Sequence, residues 1–108
     1  MKLFTKAVLD SFVKQGDTSE MEMSESKVLC KLYDCAGGST WYLVEYDPET
    51  NRGFGLCVLN GDYQMAELGY VCVSELQRVL GWRLERDRYF KVRSLEEVYN
   101  DIKAGKHV

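Results

Sequence analysis

The apolar positions of the chain change their period as it advances. Near the start, Leu3, Ala7, Val8, Phe12 and Val13 recur at helical spacing. Thr5 stands where an N-cap is wanted and Gly16 where a left-handed C-terminal residue is wanted, so the pattern predicts a helix over Thr5 to Gln15. From Lys27 the period becomes two. Lys27–Tyr33 alternates, with Val28, Cys30 and Leu32 on one side and Lys27, Leu29, Lys31 and Tyr33 on the other. Thr40–Asp47, Gly53–Leu59 and Glu67–Val73 complete four predicted strands. Asp34–Ser39 and Asp47–Gly53 read as turns, the second with Pro48 suited to its first central position. Asn60-Gly61-Asp62 opens the loop before the fourth strand.

Past the fourth strand the helical period returns. Ser74 with Gln77, and Ser94 with Glu97, have capping-box spacing. They predict a short helix over Glu75–Leu80, ended by Gly81, and a last helix with Leu95, Val98 and Ile102 on one side, stopped by Gly105. A fifth strand falls around Trp82–Leu84 or Tyr89–Val92. The predicted fold class is α+β: an antiparallel four- to five-stranded sheet with an N-terminal helix, a short helix after strand 4 and a C-terminal helix, the helices packed on one face. At 108 residues and 45% hydrophobic, residues 1–108 form a single domain. A chain of this size buries roughly 65% of its unfolded surface and needs neither metal nor disulfides to fold.

Charge and cysteine usage narrow the classes. Fourteen Lys and Arg against seventeen Asp and Glu give a net charge of −3, which argues against a general nucleic-acid coat or a basic membrane-surface peptide. No run of apolar residues is long enough for a transmembrane helix. The opening Met1-Lys2-Leu3-Phe4-Thr5-Lys6 lacks the apolar core of a secretory signal, so a cytoplasmic location is expected. Cys30, Cys35, Cys57 and Cys72 have no C-x-x-C spacing, and His107 is the single histidine. Cys30, Cys57 and Cys72 sit in apolar runs and read as small buried hydrophobes in a reducing compartment. Neither a cofactor nor a metal is implied.

Several segments taken in order form a recognisable set: Trp41-Tyr42-Leu43-Val44-Glu45-Tyr46-Asp47; Gly53-Phe54-Gly55-Leu56; Ala66-Glu67-Leu68-Gly69-Tyr70-Val71 with Ser74-Glu75-Leu76; and Glu85-Arg86-Asp87-Arg88-Tyr89-Phe90. With the opening Met1–Lys6, they resemble a family of small bacterial proteins without assigned function, found on plasmids, conjugative elements and phages. The likeness covers most of Met1 to Val92; the last helix and the acidic Asp17–Glu25 segment are less typical. The resemblance implies a mobile-element setting and supplies no reaction, cofactor or catalytic residue.

Four features bear on chemistry. Alternation along Thr40–Asp47 places Trp41, Leu43, Glu45 and Asp47 outward and buries Tyr42, Val44 and Tyr46. Glu45 and Asp47, joined by Glu67, then offer carboxylates for a divalent metal and phosphodiester cleavage; the simpler reading is a solvated sheet face with cross-strand Glu–Lys pairs. Arg78 to Arg93 carries six cations against Glu85 and Asp87, interleaved with Trp82, Tyr89 and Phe90. Such a segment suits phosphates and unpaired bases, or an acidic protein, whereas its alternating signs suit internal salt bridges. Asp17–Ser26, with four carboxylates and no cation, reads as a mobile solvated loop, with mimicry of a nucleic-acid backbone the sharper alternative. The glycines of Gly37-Gly38 and Gly53-Phe54-Gly55 lack the setting of a phosphate loop, although Gly55 suits a bulge. Ser39 and Ser74 have no histidine partner for nucleophilic catalysis. The favoured reading is therefore a non-enzymatic protein- or nucleic-acid-binding module using Trp41, Glu45, Tyr70, Arg86, Arg88 and Phe90. The alternatives are a metal-dependent phosphodiesterase using Glu45, Asp47 and Glu67, and an inhibitor of a host defence enzyme, the last resting on the resemblance alone. Nothing in the sequence fixes the oligomeric state.

Overall fold

The computed structural model describes residues 3–106 and 108; Met1 and Lys2 of the opening motif, and His107, lie outside the described residues. Helix α1 spans Lys6–Gln15. The strands are β1 (Lys27–Val28), β2 (Cys30–Asp34), β3 (Thr40–Asp47), β4 (Arg52–Val58), β5 (Glu67–Cys72), β6 (Leu84–Arg86) and β7 (Arg93–Ser94), with α2 (Val73–Leu80) after β5 and α3 (Leu95–Lys103) after β7. The α+β class and all three helices agree with the hydrophobic pattern. Strands β5-β4-β3-β2-β6 make one antiparallel sheet in that order, and β1 pairs with β7 in a small second one.

The sheet is covered on both faces, which corrects the expectation of helices on one. Tyr42, Val44, Leu56 and Val58 pack with Leu95, Val98 and Ile102 of α3. Trp41, Leu43, Cys30 and Leu32 pack on the opposite side with Phe4, Phe12 and Val73, where α1 and α2 lie. Trp41 is only 5% exposed and Leu43 fully buried, so neither points into solvent. The alternation expected for β3 fails for a second reason. The register of β3 against β4 slips between Leu43 and Glu45. This bulge inserts one residue and reverses the parity beyond it. Tyr46 consequently joins the α1 side, stacking on Phe4 with ring centroids 4.5 Å apart. Gly55 sits opposite the bulge: a Cβ there would lie 1.9 Å from the Tyr42 carbonyl oxygen, so only glycine fits.

Local signals hold at most ends. Thr5 Oγ1 accepts from the Val8 amide and Gly16 closes α1 at φ 67°. The buried side of α1 is Phe12 with Val8 and Leu9; Ala7 and Val13 are exposed. Ser94 Oγ accepts from the Glu97 amide as its capping box requires. The box at Ser74 is not formed: α2 begins earlier, with Cys72 in the N-cap position and no side-chain cap. Lys27–Tyr33 is not one strand. It breaks at Leu29, whose amide donates to Leu43 O, and Val28 joins the α3 core while Cys30 and Leu32 join the other. The Asp17–Ser26 loop is strapped down rather than free. Glu96 N donates to Met23 O, Leu95 N donates to Ser26 O, and Met23 packs against the α3 core. No helix among the described residues is long and apolar enough to cross a membrane.

Candidate functional site: an acidic aromatic cleft

Helix α3 covers the Tyr42 end of its face and leaves the Asp47 end open. Two cross-strand rows emerge there. Register pairs Glu45 with Phe54 and Phe54 with Tyr70; the next row runs Asp47, Arg52, Cys72. Residues directly opposite in a sheet share a face, so these side chains stand side by side. They border an open cleft of about 470 Å³, closed on its far side by Phe12, Val13, Gly16 and Asp17. Tyr70 is 67% exposed and leans on Phe54, centroids 4.9 Å apart, while the Arg52 guanidinium lies 4.8 Å from the Tyr70 ring centre.

Each carboxylate of the cleft is fixed through one oxygen by a backbone amide. Glu45 Oε2 accepts from Thr18 N at 2.8 Å and from the Thr18 hydroxyl. Asp47 Oδ1 accepts from Glu49 N, and Asp17 Oδ1 from Ser19 N. The bonds from Ser19 hold the Asp17 carboxyl below its ordinary value. These three carboxylates line the cleft with a single guanidinium, that of Arg52. Such a site favours a cation, and the rings of Tyr70 and Phe54 add a surface that attracts one through its π face.

The expected site residues fall into three places. Glu45 and Tyr70 meet in the cleft, with Asp47 beside them. Trp41 lies beneath the opposite face, near Cys57 and Glu67, at a groove of about 620 Å³. Glu67 thus points away from Glu45 and Asp47, and among the described residues no three of His, Cys, Asp and Glu gather as metal ligands. Arg86 ends β6, four inter-strand steps from the strand of Tyr70, or roughly 19 Å, and Arg88 and Phe90 lie in the segment that follows it. Phe90 packs against Tyr42, so the exposed ring of that segment is Tyr89.

The basic segment is largely spent internally. Arg83 donates to Asp34 in a two-pronged pair at 3.0 and 2.6 Å. Arg93 donates to Asp101 at 2.6 Å and Lys31 lies 3.6 Å from Asp87. Arg86 Nε donates to Leu3 O, and Arg78 pairs with Glu75. Among the described cations of this segment, only Arg88 and Lys91 have neither an ion pair nor a side-chain hydrogen bond.

Sequence reasoning missed Phe54 and Arg52. The Asp47–Gly53 turn carried the signal, because it sets which β4 residue lies opposite Glu45. The thiols also differ. Burial pushes Cys30 up to about 12 and raises Cys57, whereas the Ser74 hydroxyl and the Glu75 amide lower Cys72 at the start of α2.

No curated protein and no solved structure matches the chain. One family model does, over residues 3–106, which takes in all three helices and all seven strands. The chain belongs to the family described as protein of unknown function (DUF2958).

Proposed function

We propose that the protein is a non-enzymatic binding module whose open cleft receives a lysine- or arginine-bearing segment of another protein. One observation carries this reading: Glu45, Asp47 and Asp17 are each anchored by a backbone amide beside the exposed Tyr70–Phe54 pair. An anchored carboxylate loses little side-chain freedom on binding, and a desolvated cation between carboxylate and ring gains from both. The same charges repel a phosphate backbone, and most arginines that would attract one are paired internally. A protein partner is therefore favoured over a nucleic acid. A role against a host defence enzyme on a mobile element would use the same cleft, with that enzyme supplying the basic segment.

The test is a titration of isotope-labelled protein with a short arginine-containing peptide and, separately, with a single-stranded oligonucleotide. The peptide is expected to move the amide signals of Gly53, Phe54 and Tyr70, and less so in Glu45→Gln. Peptide signals that move elsewhere or not at all would refute the reading. So would oligonucleotide-induced shifts centred on Arg88 and Lys91.

A further inference from the structure

The two edges of the main sheet are protected differently. At one edge, β6 has 3 residues, two of them charged, and Arg86 ties it to the backbone at Leu3. At the other, β5 has 6 residues with Glu67 as its single charge, and neither proline nor lysine. Long edges without such guards are templates for pairing.

The phase of the β4–β5 ladder tells which groups β5 presents. Val73 N donates to Asn51 O, and the register continues with Arg52 opposite Cys72. Hydrogen-bonded and non-bonded pairs alternate in an antiparallel ladder. Glu67, Gly69 and Val71 therefore bond to β4, and Leu68, Tyr70 and Cys72 turn their N–H and C=O groups to the outer edge. Those three positions are spaced so that a second copy, related by a two-fold axis at Tyr70, meets them in register. Leu68 lies opposite the partner's Cys72, and each Tyr70 lies opposite its mate.

We infer that β5 is a self-association edge, joining two copies of this chain into one continuous sheet. Side chains support the same register. Leu68 and Tyr70 share the face of Phe54, so pairing extends the Phe54–Tyr70 row across the two-fold axis into a ladder of four rings. Leu68 (40% exposed), Tyr70 (67%), Met65 (66%) and Leu59 (56%) surround the edge. One strand edge and four side chains make a smaller patch than the roughly 800 Å² per partner of a standard interface, which gives a weak, concentration-dependent dimer. The clefts of the two copies would flank the shared aromatic ladder. The dimer itself requires no ligand there, so its test is independent of the cleft reading.

The test is sedimentation equilibrium from about 10 µM to about 1 mM, a range that brackets weak association. The native chain is expected to move from monomer towards dimer, and Leu68→Lys to raise the dissociation constant at least about tenfold. Amide exchange of the native chain at both ends of that range provides a readout that needs no variant. Leu68 and Tyr70 should gain protection with concentration while Arg86, on the opposite edge, does not. A monomer throughout, or a dimer that leaves Leu68 and Tyr70 unprotected, would overturn the inference. So would an edge that pairs with a foreign peptide but never with itself.

Discussion

Gly55 shows how one residue sets the site. Its missing Cβ lets the backbone of β3 approach at the bulge, and the bulge turns Glu45 and Asp47 onto the face of Phe54 and Tyr70. Gly55→Ala forces the strands apart and should lower unfolding free energy by about 2–3 kcal/mol, read from urea denaturation. The ion pairs make a second residue-scale prediction. Arg83 holds the Asp34 carboxyl, and Arg93 the Asp101 carboxyl, below the ordinary value of 3.8. The unfolded chain takes up protons at these groups first as pH falls. Their contribution to stability is therefore complete above that ordinary value and is lost as pH drops through the lower folded values. Urea midpoints measured from pH 5 down to pH 2 should fall, and Asp34→Asn should flatten the decline.

At the scale of elements, the three helices were legible because caps and apolar spacing are local signals. The two capping boxes nonetheless separate: Ser94 caps α3, whereas Ser74 lies inside α2. Ser94→Ala should cost about 1 kcal/mol and Ser74→Ala much less, compared by thermal unfolding. The boundaries of β3 were equally legible, yet its facing was not. A strand in the middle of a sheet covered on both sides is apolar at consecutive positions, and Trp41-Tyr42-Leu43-Val44 is such a run. Read as alternation, it assigns Trp41 and Leu43 to solvent. Leu43→Ala tests the covered-face arrangement directly. It should cost about 2–5 kcal/mol, the range for a buried leucine, where a solvent-facing leucine would cost almost nothing.

At the scale of the molecule, the candidate site was half legible. Glu45, Asp47 and Tyr70 could be singled out in the sequence, but the row joining them depends on the bulge and on the β4 register, which are tertiary facts. Arg86, Arg88 and Phe90 lie on the far edge of the sheet, because β6 returns to pair with β2 rather than with β5. The basic segment read as a binding surface proves mostly to be a set of internal ties. What remains open on this face is acidic and aromatic, so the partner chemistry proposed above rests on charge as much as on shape. Calorimetric titration of the native protein with an arginine-containing peptide tests this most directly, compared with a Glu45→Gln/Asp47→Asn variant at low and high salt. The account predicts binding that weakens with salt and falls at least about tenfold in the variant. Equal affinity in the two proteins, or an affinity indifferent to salt, would contradict it.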